Sequence, residues 1–185
     1  MKTFELIKED KKFELVAEDN IRWGGRTLYR IKACTDFVTI SGFKVKAGDF
    51  GGYVEKEANL CPFGNAWIRD HAKVFGNAKV YDNAEIYDNA LVYDNAEVYD
   101  NAEVCGYAEV YDNAEVYDNI EVYDTAEICG YAEVYGNAKV YNNALIYDNA
   151  KVYGSANVCG NAEVCGNAEV CGYSKICGDT IIKVY

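Results

Sequence analysis

Val92 to Asn119 reads VYDNAEVYDNAEVCGYAEVYDNAEVYDN, one six-residue phrase repeated with few changes. An aliphatic residue opens each phrase and a small residue follows four places later, so Val98 is answered by Ala102 and Val110 by Ala114. Two apolar positions in six, separated by a polar pair, match neither the period of an amphipathic helix nor the alternation of a long strand. They match a solenoid in which Ala-Glu-Val-Tyr is a short strand, with Ala and Val inward and Glu and Tyr outward, and the next two residues turn a corner. Asn is expected at the second corner position because it tolerates positive φ, with Gly or Asp at the first.

The phrase extends far in both directions. From Ile68 through Val74, Val80 and Ile86 to Val170, Ile176 and Ile182 the aliphatic residue never slips, and nineteen hexads fit between Ile68 and Ile181. Backwards, Val54 to Asn59 fits one more hexad, and Leu60 to Trp67 fits another with two extra residues around the only proline, Pro62. The pattern aliphatic-x-x-x-small-x resembles the hexapeptide repeat of left-handed parallel β-helices. That resemblance implies three hexads per triangular coil, hence seven coils and a prism about 34 Å long at about 4.8 Å per rung.

Residues 1–53 lack the period. FELVAE, TLYRIKA and FKVKAG read as strands, with turn signals at Trp23 to Gly25 and at GDFGG. An open β-helix end invites edge-to-edge association, so this segment is expected to cap it. The expected fold is therefore all-β: a small N-terminal β cap over residues 1–53, a single-stranded left-handed parallel β-helix over 54–181, and a tail at 182–185. YRIKACTDF, VKAGDFGGYVE and NLCPFGNAWIRDHAKVFGNAKV, between about Leu28 and Val80, resemble the N-terminal region of bacterial and phage hexapeptide-repeat proteins, often labelled transferases. That label follows the fold and carries no activity with it.

The chain has 185 residues, half of them hydrophobic, and a formal charge of −12, which disfavours phosphate backbones and favours basic partners. The charge is uneven: residues 1–53 hold ten Lys or Arg against eight acids, whereas residues 54–185 hold eight against twenty-two. Between Asp82 and Glu133 stand fifteen acids and no Lys or Arg. No continuous apolar run of signal-peptide or membrane-span length opens the chain, so a cytoplasmic protein without membrane contact is expected.

Catalytic chemistry is sparse. Hexapeptide acyltransferases, which the repeat resembles, use a histidine at a groove between subunits and bind coenzyme A along the helix. The lone histidine here, His71, occupies a corner position where Asn83 and Asn95 stand in other copies, so it reads as a corner residue first and a catalytic base second. Six of the eight cysteines replace the outward Tyr of a hexad. Cys159, Cys165 and Cys171 fall on three different faces and cannot share one metal; Cys159 and Cys177 alone of the last four would stack on adjacent rungs. Reduced thiols, no metal and no cofactor are expected.

What remains is the surface. Taking every third hexad gives one face with an unbroken column of Tyr81, Tyr99, Tyr117, Tyr135 and Tyr153, flanked by Glu97, Glu115 and Glu133 and, at the corner, by Asp82, Asp100 and Asp118. The other faces are interrupted, one by Cys105 and Cys159, the other by Cys129 and Cys165; the latter also presents Leu91 and Leu145. Like acids stacked in neighbouring strands oppose stability by about 0.2–1 kcal/mol per pair, which marks Glu97, Glu115 and Glu133 as a candidate binding site. The acidic block spans roughly 14 Å of axis by the rung spacing, a charge density above the one per about 1.7 Å of duplex DNA. The expected function is thus non-catalytic binding to a basic protein, extending to nucleic-acid mimicry against a nucleic-acid-binding enzyme, in the manner of a phage or mobile-element counter-defence inhibitor. An acyltransferase-like enzyme, a small-molecule or nucleotide binder at a subunit interface, and homo-oligomerisation stay open as alternatives.

Overall fold

The computed structural model describes residues 11–185, so the first ten residues of the expected cap lie outside it. From Val54 onward the chain winds as a parallel β-solenoid of about seven turns; Val54 and Leu60 pair 20 residues on, with Val74 and Val80, and from Trp67 each rung is bonded to the rung 18 residues later. Leu91–Val92, for example, pairs with both Lys73–Val74 and Glu109–Val110. Three sheets form three faces. Face one carries the strands from Lys73–Val74 to Ile181–Val184, face two those from Trp67–Ile68 to Lys175–Ile176, and face three those from Lys79–Val80 to Glu169–Val170.

The hexad explains the interior. Every Val or Ile between Ile68 and Val164, and the Ala or Ile four places after each, is fully buried or nearly so. A buried Val contributes about 1.5–3 kcal/mol relative to exposure, and like side chains stacked rung on rung pack the interior of the prism. The regular strands are only two residues long, shorter than the four expected, because the residue after each Val already enters the corner. It stays bonded to the next rung all the same: Tyr81 N donates to Val98 O at 3.2 Å and Asn83 N to Asp100 O at 2.9 Å.

The corners correct one expectation. Positive φ falls on the first corner residue, at Asp70 (58°), Asp82 (56°) or Gly106 (71°), and not on the Asn or His that follows. Asn at the second position has another use. Asn83 Nδ2 donates to Asn101 Oδ1 at 3.1 Å, and Asn101 passes the same bond to Asn119, so the amides form ladders along the prism edge. The Asp before each Asn can accept as well, from the amide one rung on: Asp88 from Gly106 N at 3.2 Å, Asp118 from Gly136 N at 3.0 Å.

The cap is built onto face one. Strands β1 (Phe13–Trp23) and β2 (Arg26–Ala33) form an antiparallel hairpin about Gly24 and Gly25, both at positive φ. After the small hairpin of β3 (Phe37–Val38) and β4 (Lys44–Val45), β5 (Phe50–Val54) pairs antiparallel with β2 and parallel with Lys73–Val74. A Cβ on Gly51 would stand 2.5 Å from Ile68 O, so glycine is needed where β5 crosses the first coil. Phe13, Ile31 and Val45 close the apolar interior, and Phe37 meets buried Trp67 edge-on at 5.3 Å. Buried Lys12 donates to Ala66 O, and burial lowers its ammonium pKa to about 8. At the other end Ile181–Val184 continues face one as a strand paired with Glu163–Gly166.

The cysteines correct a second expectation. Cys159 and Cys177 do stack on adjacent rungs, and they are joined as a disulfide with Cα atoms 4.5 Å apart rather than held as free thiols. Cys165, expected outward, is fully buried beside the Ile181–Val184 strand.

Candidate functional site

Face three brings the expected site residues together in register. Glu97 pairs with Lys79 and Glu115, Glu115 with Glu133, and Glu133 with Lys151. One position after each buried valine the tyrosine rings stack in sequence. Centroids of Tyr81 and Tyr99 lie 4.7 Å apart, Tyr99 and Tyr117 4.9 Å, and both Tyr117–Tyr135 and Tyr135–Tyr153 5.0 Å, all within 6° of parallel. The spacing is the rung repeat itself, so the sheet sets the rings at stacking distance without any adjustment of the side chains.

The two columns are one structure, which the sequence did not reveal. Three of the five tyrosine hydroxyls reach across to a carboxylate 16 residues on: Tyr81 donates to Glu97 Oε2 at 2.9 Å, Tyr99 to Glu115 at 3.4 Å and Tyr153 to Glu169 at 3.2 Å. Lys79 Nζ holds Glu97 at 2.7 Å and Lys151 Nζ holds Glu133 at 2.8 Å. The expected strain of stacked acids is therefore relieved at both ends of the triplet, and among the described residues Glu115 in the middle has only the long bond from Tyr99.

These contacts move the titrations. The hydrogen bond from Lys79 holds the Glu97 carboxyl below its usual range. Burial, and then the neighbouring carboxylates, raise the phenol pKa of Tyr99, and burial with the Glu133 charge pushes Tyr117 up to about 12. The phenols of Tyr81, Tyr99, Tyr117 and Tyr153 therefore keep their protons throughout the physiological range and remain available as hydrogen-bond donors. Asp82 is an exposed corner residue, and Asp100 and Asp118 are half-buried.

No protein-family model matches the chain, and no curated protein matches it.

The other candidates are dispersed. His71 is an exposed corner residue on the edge between faces two and one; its backbone N–H donates to Asp88 O at 2.8 Å and its ring makes no hydrogen bond among the described residues. Among the described residues no group of His, Cys, Asp and Glu is placed to hold a metal, and no helix is long and apolar enough to cross a membrane.

Two features escaped sequence reading. Glu85 is fully buried at an outward position, clamped by Arg69 Nε at 2.8 Å and Ser41 Oγ at 2.6 Å, while Arg69 lies on the Tyr87 ring at 3.9 Å. The signal was Arg69 in a tyrosine position. The second is a cavity of about 650 Å³ at the foot of face three, bounded by Leu60, Cys61, Pro62, Lys79, Tyr81 and Glu97 among others. Its signal was the slip in the period around Pro62.

Proposed function

We propose that this is a non-catalytic binding protein whose third face, acidic and rich in tyrosine, engages a basic surface on a protein partner. The observation that carries the reading is the continuous stack from Tyr81 to Tyr153 with Glu97, Glu115 and Glu133 in register beside it. Aromatic rings fixed by a sheet give contact area with little side-chain entropy to lose, and carboxylates beside them steer a cationic partner before contact. The charge density of the Asp82 to Glu133 block supports a narrower form of the proposal, in which the rod occupies a groove shaped for nucleic acid on an enzyme and blocks it. A phage or mobile-element counter-defence role belongs to that narrower form.

The test begins with recovery of partners from a native lysate at two salt concentrations, then compares two triple variants against the partner retained at low salt. Tyr99→Ser with Tyr117→Ser and Tyr135→Ser should speed dissociation by about tenfold or more, because hot-spot contacts act after docking. Glu97→Gln with Glu115→Gln and Glu133→Gln should slow association and flatten its salt dependence. Parental rates for both variants, each still folded by circular dichroism, would show that this face does not bind.

A further inference from the structure

Each face of the prism carries an aromatic column, and each column has a first ring at the N-terminal end. On face two that ring is Tyr87, and the residue in register one rung earlier is Arg69, fixed by the pairing of Ile68 with Ile86 and by Arg69 N donating to Ile86 O at 2.9 Å. The Arg69 guanidinium lies on the ring at 3.9 Å, held there by Glu85 and by Asp70 at 2.7 Å. On face one the first ring is Phe75, and Arg26 covers it at 5.9 Å while its guanidinium pairs with Glu55 at 2.8 Å. Two columns thus end under a guanidinium that a carboxylate fixes in place.

Face three differs. Leu60 bridges Val80, and Cys61 N donates to Val80 O at 2.9 Å, the same relation that Tyr81 N has to Val98 O. Cys61 therefore stands where the next ring or guanidinium would be, and its side chain is too short to cover Tyr81. The backbone at Glu57 to Asn59 forms a single 3-10 turn, and what remains between that turn and Tyr81 is the cavity of about 650 Å³. Its accessible apolar lining is Ala58 and Pro62, with Leu60 and Val80 fully buried behind it, and its charged lining is Glu57, Asp82 and Glu97 against Lys79 alone. Lys79 is already engaged by Glu97, whereas the Asp82 carboxylate accepts no hydrogen bond among the described residues.

We infer that this cavity is a receptor for a guanidinium group, presented by an arginine side chain of a partner protein and laid flat on Tyr81 as Arg69 is laid on Tyr87. The apolar walls take the methylene stem, the ring face takes the delocalised cation, and Asp82 supplies the carboxylate that Glu85 and Glu55 supply on the other faces. The inference rests on the proposed function only for the source of the arginine, because the chemistry of the cavity is set by its own lining.

The experiment titrates the intact chain with N-acetyl-arginine methylamide and follows the Tyr81 ring and Cys61 amide by NMR. Saturable shifts at both are expected, with N-acetyl-lysine methylamide at least about fivefold weaker and the citrulline analogue, which lacks the charge, weaker still. Asp82→Asn, which keeps a residue tolerant of positive φ, should weaken arginine binding by about threefold or more. Cys61→Tyr installs the repeat's own residue in the gap and should abolish binding in a folded protein. Absence of saturable shifts, equal binding of the lysine analogue, or undiminished binding to folded Cys61→Tyr would overturn the inference. N-acetylagmatine, which keeps the guanidinium and its stem as a single charge without the backbone, bound more than about tenfold tighter than the blocked arginine would overturn the side-chain source, since free and protein-borne guanidinium should otherwise bind alike. No partner enters this test, so its failure leaves the third-face reading standing; arginine binding alongside unaltered partner rates in the triple variants would sink that reading alone.

Discussion

Asparagine at the second corner position links rungs through its side-chain amide, and His71 interrupts that use at one place. Asn89 stands one rung above His71 in the same column, and its side chain makes no hydrogen bond among the described residues. His71→Asn should therefore complete a ladder bond like that from Asn83 to Asn101, leaving stability unchanged or raised by about 1 kcal/mol. Thermal unfolding of the two proteins checks this. The same variant addresses the acyltransferase alternative: acetyl-CoA turnover by the parent that vanishes in His71→Asn would assign the imidazole a chemical role. The first corner residue obeys a different constraint, because its backbone is left-handed, and Asp there combines tolerance of that conformation with a carboxylate that can accept from the next rung.

At the scale of the element, the tyrosine–glutamate ladder makes the solenoid sensitive to base. Burial and the facing carboxylates hold Tyr117 at about 12, and hydrogen bonding with Cys171 and then Glu169 holds Tyr153 there too; Tyr81 and Tyr99 are raised in the same direction. A folded pKa above the unfolded value of about 10 means that this stability is fully present below about pH 10 and is lost as pH rises through the folded pKa. Glu97 acts at the other end: its pKa is depressed, so its contribution is present above about pH 4.3 and is lost as pH falls through the folded value. Tyrosinate absorbance and far-ultraviolet circular dichroism followed together from pH 9 upward should show the ladder phenols ionising with loss of structure. Ionisation of all 17 tyrosines in a protein that keeps its native spectrum would refute this. The columns themselves were legible in the sequence because a strict six-residue period fixes which residues share a face, as Tyr81 to Tyr153 do. The bonds between columns were not, since a Tyr hydroxyl reaching a Glu on the next rung depends on rotamer and not on spacing. Nor was the cavity: a two-residue insertion at Pro62 signals a break in the period without saying whether the chain bulges inward or out.

For the whole molecule, stability in a solenoid is approximately a sum over rungs and their interfaces, so each end is as strong as what covers it. The N-terminal end is covered by Phe13, Ile31, Val45 and the edge-on pair of Phe37 and Trp67. The last coil has less: Ile176 and Ile182 are only half-buried, and Ile181 is 61% exposed. Within the described chain, the Cys159–Cys177 disulfide ties this coil to the one before it across 18 residues. A cross-link closing a loop of that length stabilises by about 3 kcal/mol where its full effect applies, which corresponds to about a hundredfold in an opening equilibrium. Cys177→Ser should therefore raise amide exchange in residues 171–184 by up to about a hundredfold, with little change in the interior rungs from Val80 to Val140, because nearest-neighbour coupling confines the loss to the end. Hydrogen exchange read residue by residue distinguishes this from global loosening. Uniformly faster exchange along the prism would mean that the coils unfold as one cooperative unit and that the cross-link holds more than the coil it joins.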